Sequence, residues 1–133
     1  MLVCIHTYYK EVKRLNKREK TEFGVFLVEQ IKNAKMSQEE FYNAVGIKKP
    51  YFYNLLTSSP PPIDLQNRML KVFEEKNGVS EERRRKLYDL AAAGRNEIPA
   101  DIAGLISGHP KDLDKIRTTL MTLLVTQDKT TIN

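Results

Sequence analysis

The sequence predicts an all-α protein: a compact bundle of five helices with extra C-terminal helices. Three observations support this. Apolar residues recur at the three-and-four spacing of a buried helical stripe through most of the chain. Alternating apolar and polar runs do not extend beyond the first few residues, and no two-residue turn joins a pair of them. Apolar residues make up 41% and charged residues 29% of 133 positions, which suits one soluble globular domain with its own core.

Phe23, Phe26, Leu27, Ile31 and Ala34 follow one stripe and place a first helix over 22–35. Ser37 then caps a second helix, and Glu40 three residues later completes a capping box with it. Phe41 and Val45 face inward one turn apart, and Gly46 supplies the left-handed residue that ends this helix over 37–45. A third helix occupies 48–57, with Pro50 tolerated in its first turn.

The prolines of "SSPPPID" stop that helix, and Asp64 is expected to cap the fourth, where Leu65, Met69, Val72 and Phe73 face the core and Gly78 closes. Ser80 caps the fifth, with Leu87, Leu90 and Ala91 inward and Gly94 as its terminator. Pro99 opens a short helix ending at Gly108. Pro110 opens the last one, over 111–126, where Leu113, Ile116, Leu120, Leu123 and Leu124 share a face with Met121 nearby. That stripe either covers the chain's own core or forms the interface of a homodimer.

The net charge of +5 is unevenly placed. Residues 1–20 hold six basic side chains (Lys10, Lys13, Arg14, Lys17, Arg18, Lys20) against Glu11 and Glu19; removing these from the totals of 22 basic and 17 acidic residues leaves 16 and 15. A basic arm over 1–21 on a near-neutral body suits a polyanionic partner, and a solvated tail accounts for it equally well. The run Arg83 to Lys86 spreads over most of a helix circumference, so it reads as a solvated face rather than one binding stripe.

Cys4 is the only thiol, so a disulfide or a zinc framework is not expected within the chain, and a reducing cytoplasm is the expected setting. No membrane-spanning stretch or export signal is read. His6 and His109 lie apart from other ligand types, which gives no metal site. Without a Gly-rich phosphate loop or a nucleophile-base grouping, neither a cofactor nor an enzyme is expected.

The order of elements and the residues of "MSQEEFYNAVGIKKPYFYN" carry a resemblance: residues 22–77 resemble the Cro and phage-repressor helix-turn-helix domain, the XRE family. The segment "LYDLAAAGRNEIPADIAGLISGHP" is similar to the tail that many such bacterial and phage regulators carry, so the likeness extends over about 22–117. It implies a DNA-binding domain over 22–94 and a helical extension over 95–133 that serves dimerisation. It also implies repression by occupancy of double-stranded DNA. In such domains the second helix crosses the phosphate backbone and the third lies in the major groove.

Carried over residue by residue, the resemblance gives Gln38 a phosphate at the start of the second helix. It puts Lys48, Lys49 and Pro50 at the start of the recognition helix, Phe52 in the core, and Tyr51, Tyr53 and Asn54 outward. Lys49 is then placed to donate to guanine, Asn54 to pair with adenine, and Thr57 and Ser58 to contact phosphate. Two positions depart from the pattern. Tyr42 stands where the family has a small residue, and Leu56, Thr57, Ser58 and Ser59 replace its usual Glu-Asn-Gly-Lys/Arg, which removes a phosphate-gripping cation. A rival reading from another class is a protein-interaction module on the same scaffold, an antirepressor or an antitoxin.

Overall fold

The computed structural model describes residues 18–132, with side chains through residue 126. The basic side chains Lys10, Lys13, Arg14 and Lys17, together with Cys4 and His6, lie outside the described residues. Among those described there are seven α-helices and no strands: α1 Glu22–Asn33, α2 Gln38–Val45, α3 Lys49–Thr57, α4 Ile63–Lys76, α5 Glu81–Arg95, α6 Ala100–Ser107 and α7 Leu113–Ile132. A single 3-10 turn, Pro110–Asp112, leads into α7.

One core gathers α1 to α5. Phe23, Leu27, Ile31, Phe41, Phe52, Leu56, Met69 and Leu87 are essentially sealed from water, and Ala100 at the start of α6 packs against the cluster from outside. Phe41 sits at its centre, stacked on Phe73 with ring centroids 5.0 Å apart and meeting Phe52 edge-on at 6.0 Å. Such aromatic pairs add about 1 kcal/mol each beyond the area they bury.

Side-chain caps explain several helix starts. Thr21 accepts from the Gly24 amide at 3.0 Å, Ser37 from Glu40 at 3.0 Å and Ser80 from Arg83 at 3.2 Å, each satisfying an amide with no partner inside its helix. Asp64 does not cap α4. Pro62 is the residue before the helix, because its ring holds the φ of −67° and its carbonyl accepts from Gln66, which leaves Asp64 in the first turn.

Two helices of the core end elsewhere than expected. α1 stops at Asn33, not 35, since Lys35 adopts a left-handed φ of 58° while the Met36 amide reaches back to Ile31. α5 runs through Gly94. Asn96, at φ 56°, takes the left-handed position instead, and the Glu97 amide donates to Ala92 in the six-to-one bond of a Schellman motif. Gly94 is required for a different reason: a Cβ there would lie 2.5 Å from Cγ of Pro60.

The basic run on α5 is not simply a solvated face. Arg83 donates to the buried Gln30 side chain at 2.6 Å, Arg84 pairs with Glu74, and Lys86 lies over the Phe26 ring at 5.2 Å. Only Arg85 of the four has no such described engagement. Tyr88, beside Leu87, is buried and donates to Asn67 at 2.8 Å.

The last helix begins at Leu113 rather than 111, after the 3-10 turn, and extends past 126 to Ile132. Leu113, Leu120, Met121, Leu123, Leu124 and Val125 are all exposed and Ile116 half-buried, so the stripe does not cover the chain's own core. No helix is long and apolar enough to cross a membrane among the residues described.

Candidate nucleic-acid interface

The inner face of α3 fixes what its outer face presents. Phe52, Leu55 and Leu56 are buried, and at 3.6 residues per turn this turns Pro50 and Asn54 outward with Tyr53 at the edge of that face, while Lys49 is exposed as the first residue of the helix. Tyr51 is exposed beside them. Tyr51 and Tyr53 retain 42% and 45% of their surface, large values for rings on a nine-residue helix.

A short turn over residues 46–48 joins α2 to this helix. Gly46, at φ 90°, donates to Asn43, and the Ile47 amide reaches back to Tyr42 at 3.0 Å. Arg68 of α4 locks the same turn from beneath: its Nε and Nη2 donate to the Val45 carbonyl at 3.1 and 2.6 Å. Lys48 then precedes α3 in extended backbone, with no side-chain cap.

Tyr42 fits between the two helices by packing its ring against Phe52, centroids 5.5 Å apart, and is half-buried there. The bulk of a tyrosine is thus accommodated by ring contact where a small residue would allow closer backbones.

Eight of the nine residues singled out from the sequence lie on α3 and its two ends. Lys48, Lys49, Pro50, Tyr51, Tyr53, Asn54 and Ser58 are exposed, and Thr57 is half-buried. Several are already engaged. Lys49 holds its ammonium 5.8 Å from the Tyr53 ring, a cation–π approach one helical turn away, and the Thr57 hydroxyl donates to the Tyr53 carbonyl at 2.9 Å. Gln38 stands apart from them as the first residue of α2, half-buried, at the positive end of that helix.

Electrostatically the surface is mixed. Lys48 and Lys49 add positive charge at the start of α3, while Glu39 and Glu40 place two carboxylates in the first turn of α2 beside Gln38. A phosphate drawn to that helix end by its amides meets these carboxylates, which reduces the attraction.

One contributor was not read from the sequence. The Arg18 guanidinium donates to Ser58 Oγ at 2.8 Å, joining a residue assigned to the arm with the end of α3 across 40 positions. Local spacing carries no signal for such a contact. Among the described residues no cluster of histidine, cysteine or carboxylate side chains could hold a metal ion. No protein-family model, no curated protein and no solved structure matches this chain.

Proposed function

We propose that this chain is a sequence-specific duplex-DNA-binding regulator of the Cro and phage-repressor helix-turn-helix type, acting in the cytoplasm as a homodimeric repressor. The observation that carries the reading is the two-faced α3. It is anchored through Phe52, Leu55 and Leu56 and linked to α2 by a turn held with Gly46 and Arg68. Asn54 stands on its outward face with Tyr53 beside it, and Lys49 is exposed in its first turn.

A helix of this kind fits a major groove about 12 Å wide and reads base edges with the residues near its N-terminus. Asn54 supplies the donor and acceptor pair that matches adenine. Lys49 supplies a donor for guanine, and the Tyr53 ring beneath it restrains the ammonium. Gln38 and the amides starting α2 suit a phosphate, as helix N-termini do. Repression follows by occupancy of the site, with no chemistry on the DNA.

Selection of bound sequences from a random duplex library tests this. Enrichment of a palindrome with half-sites about one helical turn apart is the expected result. Enrichment of no sequence would overturn it.

The second reading is a protein-interaction module, such as an antirepressor or the antitoxin of a toxin-antitoxin pair. It is favoured by the exposure of Tyr51 and Tyr53, since tyrosines are enriched where proteins meet, and by the few cations on α3.

A further inference from the structure

α3 carries no basic residue in its last turn, and the chain runs Leu56-Thr57-Ser58-Ser59 through and past its C-terminus, where a phosphate contact calls for positive charge. The helix C-terminus makes the deficit worse, because its unpaired carbonyls present the negative end of the dipole. A nine-residue helix is about 13 Å long, so one that meets base edges near its N-terminus emerges at the rim of the groove, where phosphates line the wall.

A cation is nevertheless present at that end, delivered from elsewhere in the chain. Arg18 Nη1 donates to Ser58 Oγ at 2.8 Å in an exposed position. The segment that carries it is tied down: the Thr21 amide and hydroxyl both donate to the Leu56 carbonyl, at 2.9 and 3.3 Å. Gly24 lets α1 approach so closely that a Cβ would fall 2.1 Å from the same oxygen. Arg18 is therefore three residues from a rigid junction with α3. It forms no ion pair with a carboxylate among the described residues, and a guanidinium with one donor on a hydroxyl keeps four N–H groups for another acceptor.

We infer that Arg18, positioned by Ser58, is the residue that grips the DNA backbone at the C-terminal end of α3, replacing a cation which that helix lacks. The inference rests on the DNA-binding reading above. Arginine suits the role because its planar fork matches two phosphate oxygens. Such a contact adds affinity for every duplex without selecting among sequences.

The test uses the full chain on two duplexes of equal length, one library-selected and one unrelated, over a series of salt concentrations. Arg18→Gln should weaken binding to both duplexes alike and make the log–log salt dependence shallower by about 0.9, the loss of one phosphate contact. Arg18→Lys should restore the slope. Ser58→Asp, which sets a carboxylate against the guanidinium, should reproduce the general loss of affinity. Thermal unfolding of each variant separates anchoring of α3 from contact with DNA. A lower melting temperature with an unchanged salt slope would make Arg18 a structural tie and overturn the inference alone. Wild-type protein without affinity for any duplex would overturn both this inference and the reading beneath it.

Discussion

Asn54 and Phe52 are two positions apart on α3 and face opposite ways, one into solvent and one into the core. Substitutions there should therefore fail differently. Asn54→Ala is expected to leave the fold intact and to reduce discrimination at one base pair by about 1–3 kcal/mol. Lys49→Ala should weaken binding and relax preference at a neighbouring position, and it frees the Tyr53 face. Phe52→Ala should instead lower unfolding stability by about 3–5 kcal/mol, because the ring contacts Phe41 and Tyr42 and leaves a cavity. Competition binding with point-mutated sites and denaturant unfolding measure the two effects. Retention of wild-type affinity and preference by both Asn54→Ala and Lys49→Ala would shift the surface to the protein-binding reading. Of the inward set on α3, Phe52 was legible through the resemblance, whereas Leu55 and Leu56, also buried, were not read from the sequence. Gly24 was not legible: a glycine inside a helix reads locally as a small loss of propensity, and its need appears only where the Leu56 carbonyl comes against it.

Among the elements, the helices of the core were readable from their stripes and from Ser, Gly and Pro punctuation, whereas their ends were set by competition between neighbouring residues. Gly94 and Asn96 both suit a helix end. Asn96 takes the left-handed turn because Gly94 is already used for contact with Pro60. The α2–α3 turn shows the other limit. Gly46 was legible, but the guanidinium of Arg68 arrives from 23 positions away to satisfy the Val45 carbonyl, which has no partner inside α2. Arg68→Met keeps most of the stem and removes both hydrogen bonds. It should cost about 1–3 kcal/mol of stability, and the Gly46 and Ile47 amides should exchange with solvent faster than those of α5. Wild-type stability and exchange in Arg68→Met would mean that water serves that carbonyl equally well.

At the scale of the molecule, α1 to α5 close one core, Ala100 brings the start of α6 onto it, and α7 presents an apolar surface that this core does not cover. Periodicity revealed the stripe but could not say what lies against it, since a helical face reads the same whether it meets its own chain or another. Leu113, Ile116, Leu120 and Leu123 recur at three, four and three residues, the spacing of a two-helix seam. Residues 118–127 carry no charge, so two copies meet there without repulsion between like side chains. Paired half-sites in DNA also require a two-fold protein. The expected outcome is a homodimer through residues 113–126, measured as a two-chain mass in sedimentation at working concentration. Leu120→Asp with Leu124→Asp should yield a monomer with unchanged helicity and poor affinity for a full palindromic site, because both side chains are exposed within one chain and contribute little to its fold. Loss of helicity in that variant would instead place the stripe against the chain's own core. A one-chain mass for the wild type, both free and on DNA, would remove the dimer and leave the exposed leucines to another partner.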